Sequence, residues 1–92
     1  MATKRRSTNT PWGPALPVEQ VTISQRSGEK RFACDVQLLE TDGGERFVRF
    51  SYRTNGMARR GPVTLRRRDL ERLRAMLKEH PGLSQALLGG DA

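Results

Sequence analysis

The sequence predicts an α+β domain in which a four-stranded antiparallel meander sheet is followed by a helix, β-β-β-β-α, with a second copy completing a homodimer. Three observations carry that expectation. Two segments alternate apolar and polar residues with period two, an Asp42-Gly43-Gly44 hairpin signal joins them, and leucines recur at helical spacing after residue 69. The chain has 92 residues, and a domain this small buries only about 60% of the surface its unfolded form exposes. Burial against a second copy is therefore expected to add stability.

The first strand is expected from Val18 to Ser24, where Val18, Val21 and Ile23 alternate imperfectly before the turn chemistry of Ser27-Gly28-Glu29. The second runs from Lys30 to Thr41. It sets Phe32, Cys34, Val36 and Leu38 on one face and Ala33, Asp35, Gln37 and Leu39 on the other. The third runs from Glu45 to Thr54, with Val48, Phe50 and Tyr52 on a core face and Phe47, Arg49, Ser51 and Arg53 on the opposite face. Asn55-Gly56 turns the chain. Met57 to Gly61 then reads as a basic loop, and Pro62 to Leu65 as a short fourth strand that starts at the proline or lies at an edge.

Leu70, Leu73 and Leu77 define the apolar stripe of the helix. Asp69 and Glu71 favour its positive end, Lys78 and His80 its negative end, and His80-Pro81-Gly82 stops it. Leu83, Leu87 and Leu88 suggest one further short amphipathic turn, with a disordered end at 89–92. Residues 1–17 hold three of the five prolines and the Lys4-Arg5-Arg6 cluster. They read as a flexible basic arm before a domain at 18–88. Trp12 within the arm either stacks on a base or packs back onto the domain.

Several function classes are disfavoured by composition. No apolar run approaches the roughly 20 residues of a spanning helix, and no signal peptide is evident. The expectation is an intracellular protein of the cytoplasm or nucleoid with no membrane partner. One cysteine and one histidine provide neither an internal disulfide nor a metal-ligand set, so no metal, cofactor or catalytic residue is assigned and the chain is read as a non-enzyme. Cys34 reads as a small buried hydrophobe, and His80 as a helix-terminal cap.

Charge is the informative feature. The net charge is +7, yet residues 46–68 alone carry eight arginines and no acidic residue, while the remainder is close to neutral. A local patch of this kind is the footprint of a polyanion. The alternative is a solvated surface, but like charges on one strand face repel and destabilise it. Guanidinium groups also stack on bases, which suits an unpaired strand. Candidate nucleic-acid-binding residues are Arg46, Phe47, Arg49, Ser51, Tyr52, Arg53, Arg59, Arg60 and Arg66. Phe47 is either a base-stacking residue or a dimer contact. Period two places Tyr52 on the core face.

The segment RFVRFSYRTNGMARRGPVTLRRRDLERLRAML, residues 46–77, resembles the Positive Cofactor Four family of transcriptional coactivators and its bacterial relatives. Arg49 and Tyr52 match that family's strand arginine and aromatic, Arg59-Arg60-Gly61 its basic loop, and Val63-Thr64-Leu65 its last strand. Leu70, Leu73 and Leu77 match its closing helix. The chain departs from the pattern in the insertion of Pro62, in a short turn at Asn55-Gly56, and in Arg66 at the helix N-cap. That position leaves backbone N–H groups to water or to a bound phosphate. The resemblance implies binding of single-stranded DNA and makes Tyr52 a stacking residue. The resulting expectation is a low-specificity single-stranded DNA or RNA binder associated with transcription or replication, with RNA polymerase or replication proteins as further partners. The alternative is a basic interaction module that docks on an acidic surface of a polymerase or another assembly.

Overall fold

The computed structural model describes residues 7–89, which form an α+β domain with a five-stranded antiparallel sheet and two helices. Strands β1 (Thr8–Thr10), β2 (Gly13–Ser27), β3 (Lys30–Thr41), β4 (Arg46–Thr54) and β5 (Met57–Arg59) lie side by side in chain order. Helices α1 (Arg67–Leu77) and α2 (Pro81–Leu88) follow. The class and the meander order agree with the sequence expectation; the strand inventory differs at both ends.

The centre of the sheet follows the alternation. Ile23 pairs with Cys34 and Cys34 with Tyr52, while Val21 pairs with Val36 and Val36 with Phe50. One face therefore collects Ile23, Cys34, Val36 and Leu38, all fully buried, and Leu73, Leu77 and Leu83 from the two helices close over it. Burying each such side chain stabilises the fold by roughly 1.5–3 kcal/mol. Cys34 is a core residue as expected; burial, aided by the charges of Asp35 and Asp69, pushes its thiol pKa up and keeps it protonated.

The imperfect alternation of the first predicted strand is a β-bulge. Pairing with β3 shifts register between Pro17 and Glu19, so Val18 and Glu19 both serve the helix side while Ala15 and Pro17 turn to the other face. There Ala15 and Leu39 are buried apart from the helix-side core. Arg49 on β4 donates to Thr8 Oγ1 at 3.0 Å and to the Asn9 carbonyl at 3.4 Å. In a flat sheet β1 and β4 would stand about 14 Å apart, three inter-strand spacings. The bridge thus marks a sheet that curls toward the face without helices.

The reading of 1–17 as a flexible arm is corrected for its described part. Residues 8–10 and 13–17 lie in β1 and β2, joined by a tight turn in which Thr10 Oγ1 donates to the Gly13 carbonyl and accepts from the Trp12 N–H. Prolines suggested an unstructured tail, but Pro11 occupies the turn and Pro14 faces a strand of only three residues. Residues 1–6 and 90–92 lie outside the described residues, and the arm and tail expectations for them with it.

The fourth predicted strand is also corrected. Asn55 and Gly56 both have positive φ, 51° and 83°, the requirement of a two-residue type I′ hairpin. Met57–Arg59 therefore folds straight back on β4 as β5. Pro62–Leu65 is not a strand; it crosses to α1 with Val63 and Leu65 packed against the core.

Two helix details differ from expectation. Leu70 is 40% exposed, and the inward stripe is Asp69, Leu73 and Leu77. Leu83 belongs to the core, and α2 begins where Glu19 receives the N–H groups of Gly82 and Leu83 at 2.9 and 2.7 Å. This is a cap supplied by a strand rather than by the helix itself. A Cβ on Gly82 would lie 2.8 Å from both Glu19 Oε2 and Leu38 Cδ2, so the capping carboxylate and a core leucine would have to shift to admit one. His80 joins the helices as a cap for α1, its Nδ1 lying 2.9 Å from the Met76 carbonyl.

Candidate nucleic-acid interface

The sheet-face arginines are not bare. Register brings Glu40 opposite Arg46 and Gln37 opposite Arg49, and sets Asp35 beside Arg53. Arg46 Nε lies 3.2 Å from Glu40. Arg49 donates twice to Gln37 Oε1, at 3.3 and 3.1 Å, in addition to bridging to β1. Arg53 makes a forked pair with the Asp35 carboxylate, at 2.9 and 3.0 Å, and Thr22 donates to the same carboxylate at 2.7 Å. Carboxylates distant in sequence thus offset Arg46 and Arg53, whereas Arg49, held by neutral acceptors, keeps its charge and is a structural cross-brace.

The other predicted residues separate. Phe47 stacks against Trp12 with ring centroids 5.0 Å apart, so Trp12 packs on the domain. Ser51 stands opposite Asp35. Tyr52 keeps the core face, and its hydroxyl donates to the Arg60 carbonyl at 3.3 Å. Arg59 and Arg60 are exposed at the β5 edge.

The structure concentrates charge elsewhere, at the tip of the β2–β3 hairpin. A groove of about 720 Å³ there is lined by Arg26, Arg31, Arg53, Arg66, Arg68 and Arg72, with Thr22, Ser24, Gln25, Phe32, Ala33 and Gly56 completing the wall. No carboxylate lines it. A second, more apolar hollow of about 410 Å³ shares Gln25, Arg26, Phe32 and Arg66 and adds Tyr52, Pro62 and Val63. Only Tyr52, Arg53 and Arg66 of the predicted residues reach this region. Sequence reasoning missed Arg26, Arg31, Phe32, Arg68 and Arg72. The available signals were the i,i+4 spacing of Arg68 and Arg72 and the symmetric placement of Arg26 and Arg31 around the hairpin turn.

Three of the six arginines are oriented by buried carboxylates. Asp69 is fully buried. Its Oδ2 accepts the Arg66 backbone N–H at 3.0 Å, Arg66 Nε at 2.9 Å and Gln25 Nε2 at 2.9 Å, and its Oδ1 accepts Arg66 Nη2 at 3.3 Å. Arg72 lies 3.6 Å from Oδ1 and donates to the Ser24 carbonyl at 2.7 Å. The Arg66 side-chain hydrogen bond, above all, holds the Asp69 carboxyl well below the usual carboxylate range against the opposing effect of burial, and it raises the Arg66 pKa in return. The Arg66 N–H is thereby occupied, and of the helix N–H groups that an arginine at the N-cap was expected to leave to water or a phosphate, that of Asp69 donates to the Arg66 carbonyl at 3.0 Å. Arg53 is held likewise by Asp35.

Arg26, Arg31 and Arg68 enter no ion pair among the described residues. Arg26 and Arg31 are direct cross-strand partners, an arrangement of like charges that destabilises a hairpin unless an anion lies between them. Six guanidinium groups set against the two carboxylates that orient them leave an excess of about four positive charges around one groove.

Fold and groove together describe a small basic α+β domain with an arginine-lined cleft. No family model, curated protein or solved structure matches the chain. Among the described residues no helix is long and apolar enough to cross a membrane, and no cluster of His, Cys, Asp and Glu could hold a metal ion.

Proposed function

We propose that this protein binds single-stranded nucleic acid with low sequence specificity, and that the arginine groove at the β2–β3 hairpin tip, rather than the face of β4, holds the phosphates. The observation that carries the reading is the juxtaposition of Arg26, Arg31 and Arg68, unpaired among the described residues, with three arginines pre-oriented by Asp35 and Asp69. Guanidinium forks match phosphate oxygens, and pre-orientation lowers the entropy lost on binding. Phosphate contacts carry no sequence information, hence the low specificity. Phe32, which lines both the groove and the adjoining hollow, and Tyr52 in the hollow are the aromatic surfaces at hand. This chemistry accords with the resemblance to the Positive Cofactor Four family and with a transcription- or replication-associated accessory role inside the cell, without catalysis.

We propose further that two copies associate. Phe50, Met57, Leu70 and Leu88 are each at least 40% exposed, a heavy apolar load for a chain of this size.

The test is fluorescence anisotropy with labelled single-stranded DNA, single-stranded RNA, duplex DNA and an acidic polypeptide, each at two salt concentrations. Tightest, salt-sensitive binding to a single strand is expected. Preference for the acidic polypeptide over every nucleic acid would overturn this reading in favour of docking on an acidic protein surface.

A further inference from the structure

The stacked pair Trp12–Phe47 lies at the opposite end of β4 from the arginine groove, on the sheet face from which Arg26, Arg31 and Arg53 enter that groove. Pairing of β3 with β4 runs without a bulge from Arg46 to Thr54, so Phe47 and Arg53, six residues apart, project from one side. At about 3.3 Å per residue they are separated by about 20 Å along β4. Arg53 lines the groove at one end. At the other end Phe47 carries Trp12, whose ring stacks on it at 5.0 Å with an interplanar angle of 30° while the residue remains 68% exposed. The floor between them is polar, made by Ser51, Gln37, the braced Arg49 and Asp35, whose charge Arg53 offsets.

An indole left this open is unfavourable for a side chain that serves only to pack on Phe47, because its outer face gains no burial. The turn that presents it is fixed by the two Thr10 hydrogen bonds, and β1 is fixed by the Arg49 brace. Trp12 is thus a rigid, pre-positioned aromatic surface, the kind on which unpaired bases stack without sequence preference.

Building on the groove reading, we propose that one nucleic-acid strand follows β4 across this face, its phosphates anchored in the arginine groove and a base several nucleotides away stacked on the outer face of Trp12. The span of about 20 Å corresponds to about six phosphates at the spacing of one strand of a duplex, and to fewer when the strand is extended. The site therefore has two ends and a minimum length. Oligomers shorter than the span reach the groove alone.

The chain has a single tryptophan, so its emission reports the far end directly. Oligothymidylates from about two to about twelve nucleotides are titrated into the full chain, following Trp12 emission and competition with a labelled strand. The shortest should compete without changing the emission. From about six nucleotides the emission should be quenched and affinity should rise about tenfold, in keeping with the stacking of one base. Trp12→Leu and Phe47→Ala, each checked for an unchanged circular dichroism spectrum, should lose the gain for long oligomers and leave short ones unaffected. Binding of every length without a change in Trp12 emission, or equal quenching by the shortest oligomers, overturns the two-ended path and leaves the groove reading standing. If no oligomer binds, both fall.

Discussion

Replacing Asp69 by asparagine tests whether the base of the groove is held together by one buried charge. The carboxylate accepts the Arg66 backbone N–H, two guanidinium N–H groups and the Gln25 amide, and it is fully buried. An asparagine in the same rotamer keeps one acceptor oxygen and turns an NH2 group toward the Arg66 fork or toward Gln25, so at least one donor faces another. Hydrogen bonds to a charged group contribute about 1.5–3 kcal/mol each, and removing one partner of a buried pair costs about 3–5 kcal/mol. Arg66 and Arg72 are nearly half exposed and regain water, which favours the low end, about 3 kcal/mol. At about 4–8 °C per kcal/mol for a domain of this size, the midpoint in a thermal melt at neutral pH should fall by about 12–24 °C. The pH dependence supplies a second check. The folded carboxyl lies below its unfolded value of about 3.9, so its contribution is complete above about pH 5 and is lost as pH falls through the unfolded value toward the folded one. The parent should accordingly lose stability on acidification more steeply than Asp69→Asn. A variant that melts within about 3 °C of the parent, with an identical acid limb, would refute the reasoning.

Three further outcomes are expected. Gly82→Ala should cost about 1–3 kcal/mol in chemical denaturation, because the new methyl meets Glu19 and Leu38 at 2.8 Å and displaces the cap of α2. Arg49→Ala should lower the melting midpoint by several degrees through loss of the β1–β4 brace, while the salt dependence of nucleic-acid binding stays that of the parent. Sedimentation at micromolar concentration should give a dimer, and Phe50→Lys together with Leu88→Lys should shift it to monomer; a parent that sediments as a monomer would remove the second copy from the account.

The parts of the fold that were legible in the sequence are those governed by local rules. The alternation of β3 and β4 and the Asn55-Gly56 turn are properties of short windows, and the predicted limits of β3 coincide with the observed ones. Even the irregularity at Val18 was visible, although only the pairing of Glu19 with Leu38 identifies it as a bulge. Proline misled twice. At 11–17 it suggested an arm where a hairpin forms, and at Pro62 it suggested an edge strand where β5 had already taken the ladder. The site was less legible, because pairing across a sheet is non-local. A run without acidic residues between 46 and 68 looked unneutralised, yet Glu40 and Asp35 on the neighbouring strand pair with two of its arginines. The groove, in turn, collects arginines from β2, β3, β4, α1 and the segment before α1, and no window of sequence contains them all.

The proposed function places phosphates in the hairpin-tip groove and not on the face of β4. It is tested most directly by measuring the salt dependence of single-strand affinity for the parent, for the triple variant Arg26→Ala/Arg31→Ala/Arg68→Ala, and for Arg46→Ala as a control from the β4 strand. Each lost phosphate contact flattens the slope of log K against log salt by about 0.7 for a single strand, so the triple variant should lose about 2 from the slope and bind weakly at physiological salt. Arg46→Ala, whose guanidinium is paired with Glu40, should keep the parent slope. A triple variant with the parent's slope, or a control whose slope flattens by about 0.7, would contradict the account.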